Sequence, residues 1–203
     1  MLRMLLALSL VSFAALADSV QPFSYLQVGS GRAGFECGWN ETTNLDGTAL
    51  TASWQFQPEW FVAGQQFESN TRHENCSDLD LTVELQSVAT GYVIHSSASS
   101  DWFAKVGWLH RQYPGEEDFN HETAEYERTL YDRDDTVVSG GARHRFGRFF
   151  ELNWDAGYIT QGVGRAYGVA TMRWLATEQF SVGIQYSQYG AFSTAELNAR
   201  YRF

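Results

Sequence analysis

Three groups of residues have types and spacings that could do chemistry. Cys37 and Cys76 are the two cysteines of the chain. Paired, they would form one disulfide closing about 40 residues, worth ~4 kcal/mol on the chain-entropy account. Two free thiols are the alternative, and a metal centre fits less well because paired histidines are not close by. His73 lies near Asp78 and Asp80, a set able to activate water for hydrolysis. No adjacent Asp-His pair follows to complete it. His95 with Ser96 and Ser97 offers a base beside a nucleophile, although the local pattern places all three in a tight turn.

A fourth feature is electrostatic. From Tyr113 to Asp135 there are nine acids and two arginines, a balance of −7. This could hold a divalent cation or recognise a ligand, but the EF-hand spacing is absent. The expectation is a solvated surface loop. The whole chain carries −10, which argues against affinity for nucleic acid. No residue is assigned a catalytic, cofactor-binding or metal-ligating role, and no cofactor is expected.

The elements that position these residues begin after a leader. Arg3 precedes the apolar run "MLLALSLVSFAAL", and small residues at Ala15–Ala17 mark cleavage before Asp18. Residues 1–17 therefore read as a secretory signal peptide and 18–203 as one domain. Export makes a Cys37–Cys76 disulfide reasonable. Beyond the leader no apolar run is long enough for a membrane helix.

Alternation dominates instead. Phe150, Leu152, Trp154, Ala156 and Tyr158 share one face against Glu151, Asn153, Asp155 and Gly157. Phe180, Val182, Ile184 and Tyr186 oppose Ser181, Gly183, Gln185 and Ser187. Ala195, Leu197, Ala199, Tyr201 and Phe203 oppose Glu196, Asn198, Arg200 and Arg202. A period of two is a strand. Ten strands are expected near 23–34, 48–57, 60–69, 79–94, 102–111, 136–146, 149–160, 166–175, 179–189 and 193–203, with eight as the rival count. Longer connections fall at 35–47, 70–78, 112–135, 161–165 and 190–192. The prolines Pro22, Pro58 and Pro114 are expected at ends or turns.

Alternation does not say which face is inside. The aromatics do. Each short connection is bracketed by large rings: Phe56 with Trp60 and Phe61, Trp102 with Phe103, Phe146 with Phe149 and Phe150, and Trp174 with Phe180. Rings gathered at one level are what a membrane interface selects. An even number of strands, with short turns on one side and long loops on the other, is the pattern of a bacterial outer-membrane barrel. The fold expected is all-β, a closed antiparallel up-and-down transmembrane β-barrel of ten strands. Its polar faces would then line a narrow interior. Glu84, Lys105, Arg143, Arg145, Glu151, Asp155, Arg173, Glu196 and Arg200 are expected there, as an ion network plugging the lumen.

Several pieces carry a family resemblance: "LDGTALTASWQF" with "EWFVAGQQF", "DLDL", "GGARHRF" with "FFELNWDAGY", and "EQFSVGIQYS" with "TAELNARYRF". The chain resembles a proteobacterial family of small porin-like outer-membrane β-barrel proteins. The resemblance implies the cell outer membrane as location and no catalytic motif. Tyr201 and Phe203, in the closing aromatic-x-aromatic pattern, resemble the signal read by the barrel-assembly machinery. Outer-membrane lipid and lipopolysaccharide are the other expected partners. The expected role is structural, adhesive or weakly channel-forming, exercised through the surface loops. The alternatives are an omptin-like protease or lipid-modifying hydrolase at the outer rim, and a soluble periplasmic barrel.

Overall fold

The computed structural model describes residues 23–36, 42–72, 80–120, 125–160, 166–190 and 192–203. The leader, Cys37, His73, Cys76 and Asp78 lie outside the described residues, and so does Pro22.

Ten strands form one closed barrel: β1 (Tyr25–Glu36), β2 (Thr42–Gln55), β3 (Trp60–Arg72), β4 (Asp80–Ser96), β5 (Ser100–Asn120), β6 (Glu125–Phe146), β7 (Phe150–Ile159), β8 (Ala166–Leu175), β9 (Phe180–Tyr189) and β10 (Phe192–Arg202). Each pairs antiparallel with the next, and β10 returns to β1. The closing register sets Tyr25 opposite Arg202 and Gly34 opposite Ser193. Closure leaves no sheet edge to be solvated, the condition for a backbone that crosses hydrocarbon. The expected ten-stranded, all-β barrel is the observed fold.

The faces are arranged as in a membrane barrel. Leu197 and Ile184 are 66% and 55% exposed on the outer wall, while Glu151 and Arg200 are buried at 1% and 3%. Val28, Leu50, Val88, Val106, Val138 and Met172 continue the outer apolar belt. An exposed belt of this extent is not tolerated in water. Below it, Phe56, Trp60, Trp102, Phe146, Phe150, Trp174 and Phe180 form a ring at the short-turn end. Above it Trp108, Tyr158 and Tyr186 are also exposed, so the loop end carries aromatics as well. The soluble-barrel alternative is excluded by this inside-out distribution, and a closed barrel with a lipid-facing apolar band and aromatic girdles is of the outer-membrane type.

Four expectations are corrected. Phe61 and Phe103 do not join the outer ring, since both are buried inside the barrel. Each lies at a strand start, where the neighbouring turn hides the parity of the faces. Glu84 does not face the lumen. On β4 the buried residues are Val83, Leu85 and Val93 while Val88 and Tyr92 are exposed, so even-numbered residues point out. Glu84 instead accepts from the Gln86 amide on the outer face. The expected loop 112–135 is largely a β5–β6 hairpin, pairing Gln112 with Asp132 and Asn120 with Glu125. Charge does not prevent two strands from pairing, because the ladder is made by backbone groups. Pro114 accordingly sits inside β5, not at its end, and the register shifts between Pro114 and Glu117. A bulge is where a strand accommodates a residue without an N–H.

The short turns need little. The β6–β7 turn uses Gly147 at φ 64°, a conformation that L side chains resist. Inside the wall, Gly91 leaves room for a ring: a Cβ there would lie 2.1 Å from Phe61.

Candidate functional site

The barrel interior gathers most of the buried polar chemistry, and it is layered. At the short-turn end three rings close the lumen. Phe23, just before β1, stacks on Phe61 with centroids 4.3 Å apart, and Phe103 packs edge-on against both at 5.6 and 6.0 Å. Val93 completes this cluster. Phe23 is anchored through its backbone N–H, which donates to Gln55 Oε1 at 3.3 Å. The Arg143 guanidinium lies over its ring at 4.4 Å, within cation–π range.

Above the rings sits the ion network. Glu151 is its hub. Arg202 Nη2 reaches Glu151 Oε2 at 2.5 Å, and Arg145, Arg200 and Arg143 follow at 3.7, 3.7 and 3.9 Å. The side chain of Glu151 is fully buried. Pairing register explains the convergence: Glu151 lies opposite Arg145 on β6 and Arg173 on β8, while Arg200 and Arg202 reach it from β10. A second carboxylate, Asp101, takes Arg143 at 2.5 Å and also accepts from the Ser96 hydroxyl at 2.5 Å. Ser96 is thus committed to a carboxylate, not to His95.

Higher up, Arg173 donates to Asn198 at 2.7 Å and to Gln27 Oε1 at 2.6 Å. Arg200 donates to the same Gln27 oxygen at 3.0 and 3.2 Å. Two guanidiniums therefore share one neutral acceptor. Lys105 pairs with Asp155, which also accepts from Tyr167 at 3.0 Å. Near the loop end a second apolar layer begins. Leu45, Phe67, Leu85, Leu109, Ile159 and Phe192 are buried together, threaded by an Arg111–Asp135 pair at 2.5 Å. The lumen is thus packed with apolar side chains at both ends and polar between them.

Of the residues expected in the lumen, Lys105, Arg143, Arg145, Glu151, Asp155, Arg173, Glu196 and Arg200 all face inward, and Glu84 does not. Glu196 stands apart from the hub, accepting from Thr194 at 3.3 Å. The reading of separate residues missed Asp101, Arg111, Asp135 and Arg202 as network members. Asp101 and Asp135 fell in segments taken for connections. Extending each strand's parity through those segments would have found both.

On the outer face at the loop end, His110 Nδ1 lies 3.0 Å from Asp134 and 3.8 Å from Asp132. Asp134 also accepts from Trp108 Nε1 at 3.1 Å. This histidine–carboxylate pair was not foreseen, because Asp134 lay in the expected loop. Among the described residues His, Cys, Asp and Glu do not gather in groups of three able to hold a metal. Asp80 begins β4. Tyr201 is exposed on the outer face and the Phe203 amide donates to Ser24 O at 3.2 Å.

No family model and no curated protein matches this chain. Similar solved structures include Ail, the attachment invasion locus protein of Yersinia pestis, in complex with the heparin analogue sucrose octasulfate; identity is 16% over 88% of this chain and 97% of that one, with a TM-score of 0.44. The KdgM porin is 8% identical over 87% and 99% of the two chains, with a TM-score of 0.46. Neisserial surface protein A is 10% identical over 92% and 100%, with a TM-score of 0.42. The barrel architecture itself rests on the strand pairing of this chain.

Proposed function

We propose that this chain is a closed outer-membrane barrel with a structural and adhesive role, and that the β5–β6 hairpin and the neighbouring loops are its working surface. One observation carries the reading. Both ends of the lumen are filled with packed apolar side chains, Phe23, Phe61 and Phe103 below and Phe67, Leu85, Leu109 and Phe192 above. A water path would have to cross both layers, and hydrophobic constrictions block ions by excluding water. The hairpin, in contrast, continues its ladder well past the last β6–β7 pair at Val137–Ile159, up to Asn120–Glu125. Its acid-rich sequence favours partners that are cationic or bridged by cations.

Outer-membrane lipid and lipopolysaccharide surround the belt on this reading, and Tyr201 and Phe203 guide insertion by the assembly machinery. Catalysis has no part in it. The test is planar-bilayer recording with purified, detergent-folded protein. Silence at all applied voltages is expected. Steady unitary currents would overturn the closed-barrel reading and favour a channel.

A further inference from the structure

The polar middle of the lumen is not solid. A cavity of about 100 Å³ lies beneath the upper apolar layer, and a second of about 50 Å³ lies directly above the ring cluster. They adjoin, sharing Tyr25, Ala63, Phe103, Lys105, Asn153 and Arg200 as walls. The cations around this chamber are paired: Lys105 with Asp155, Arg143 with Asp101, and Arg200 with Glu151 at 3.7 Å. Its charge is therefore balanced, but its hydrogen bonding is incomplete. Four buried side-chain atoms on the walls of the upper cavity lack a hydrogen-bond partner among the described residues: Gln65 Nε2, Ser139 Oγ, Asn153 Oδ1 and Asp155 Oδ1. They are an amide donor, a hydroxyl that donates or accepts, and two acceptors. An ion of either sign would suit part of this set and oppose the rest. Water donates and accepts, and the volume exceeds the ~10–15 Å³ that one molecule needs.

The two ends of the chamber are closed differently. Above it, Phe67, Leu85, Leu109 and Ile159 all belong to strands. Below it, Phe61, Val93 and Phe103 do so as well, whereas Phe23 precedes β1. The backbone is fixed one residue further on. Ser24 O accepts from the Phe203 amide at 3.2 Å, and the Ser24 hydroxyl accepts from the Gln55 amide at 3.0 Å. Phe23 is held by its N–H bond to Gln55 Oε1 and by its contacts with the Phe61, Phe103 and Arg143 side chains. A rotation about Ser24 thus lifts the ring from the lower cavity, which it lines, without breaking a strand pair.

We propose that the chamber holds a small cluster of ordered waters and that Phe23 is the lid past which they exchange. The waters complete the bonding of Gln65, Ser139, Asn153 and Asp155 and leave the ion pairs intact. The lid stands at the short-turn end, the periplasmic face of an outer-membrane barrel. With the leader cleaved before Asp18, Phe23 is the sixth residue of the chain, so a short free arm carries it. Lifting it leaves the upper apolar layer in place. Exchange therefore opens no conducting path, and the lid is tested independently of bilayer currents.

Ser139→Cys places a thiol on the upper cavity wall at almost unchanged volume, and Ala63→Cys serves if that variant does not fold. Iodoacetamide, small and neutral, is added to the detergent-folded protein. Intact mass counts groups added beyond those on the parent chain with its two native cysteines. Labelling tracks the population of the open form when reclosing is fast. Slow addition of one group is expected. Gln55→Ala, which keeps the ring and removes its anchor, should speed labelling about two- to tenfold, the factor one hydrogen bond supplies. Phe23→Ala should speed it about tenfold or more, and Leu85→Ala in the upper layer should leave it unchanged. Heat-modifiable gel mobility checks that each variant folds. A thiol that stays unlabelled, or a rate indifferent to Phe23→Ala or Gln55→Ala, overturns the lid. So does equal acceleration by Leu85→Ala, which would put the entry at the loop end. Microsecond X-ray footprinting, which turns waters into hydroxyl radicals where they stand, tests the cluster. Tyr189, buried on the upper cavity wall, should be oxidised several-fold faster than Phe67, which is buried away from both cavities. Equal oxidation would overturn the water cluster.

Discussion

Replacing Glu151 with Gln removes one charge and almost no volume, and it tests whether the lumen is held by its hub. Four arginines approach this carboxylate, one at 2.5 Å and three at 3.7–3.9 Å. At an effective dielectric near 20, a pair about 4 Å apart attracts by about 4 kcal/mol before other terms are counted. Desolvation of the carboxylate and repulsion among the arginines cancel most of that sum. What survives is the cost of leaving buried cations without their anion, about 3–5 kcal/mol. Arg143 keeps Asp101 after the change, but Arg202 loses its ion pair with residue 151. The single arginines should therefore cost less. Arg202→Gln leaves three cations around Glu151 and is expected at about 1–3 kcal/mol. Arg145, whose side chain is a third exposed, is expected below ~1 kcal/mol once solvent screening is allowed for. Urea unfolding of detergent-folded protein, followed by tryptophan emission and by heat-modifiable gel mobility, measures all three. Because the hub is buried, the Glu151→Gln deficit should change little with ionic strength. A Glu151→Gln protein within ~1 kcal/mol of wild type, or an Arg145→Gln change as costly as Glu151→Gln, would refute the hub.

Other outcomes follow from the same structure. Leu197→Arg places a charge at mid-height on the lipid face and should cost ~2–4 kcal/mol in lipid-folded protein; a neutral result by urea titration would mean that the outer wall meets water. Gly91→Ala drives a Cβ into the Phe61 ring and should destabilise the barrel by ~1–3 kcal/mol by overpacking, read by the same titration against an unchanged Gly64→Ala control, whose nearest neighbour would be 3.6 Å away. The proposed Cys37–Cys76 bridge predicts that neither thiol reacts with a maleimide in unfolded, unreduced protein. Two labelled cysteines would remove the bridge.

Strand parity made the wall legible. Through most of β7, β9 and β10 apolar residues alternate with polar ones or glycine, so Glu151, Gln185 and Arg200 could be placed inside from the sequence. The β5–β6 hairpin was less legible, because its acid-rich sequence lacks the apolar–polar alternation that marks the wall. Asp134 and Asp135 were therefore read as loop, although one binds His110 outside and the other Arg111 inside. The ring cluster was hidden for another reason. Phe61 and Trp60 are adjacent aromatics, and composition alone does not say that one meets lipid while its neighbour fills the lumen. Phe23 lies before β1, where no period constrains it. The polar network depends on distances across the barrel, such as the Arg173–Gln27 contact between residues 146 positions apart, and no local pattern encodes those.

The inverted core changes what counts as a conservative substitution. In a soluble domain Leu197 would be the costly position and Arg173 a tolerant one. Here Arg173 is buried with its charge facing amide oxygens, and Leu197 stands free on the wall. Lipid offers apolar residues almost nothing that water-driven burial would, since hydrocarbon surrounds them before and after packing. Stability must then come from the closed ladder and from polar packing within, which is directional and fails when a single partner is removed. That is why the arginines meet at one carboxylate and why amides bridge the gaps between them. It also explains the two apolar layers. A polar network in a narrow tube would hydrate and loosen if water entered from either mouth, and the phenylalanine cluster at one end with mixed aliphatic and aromatic side chains at the other keep bulk water out. The closure proposed to block conduction is the same feature that lets the ion network hold the barrel together.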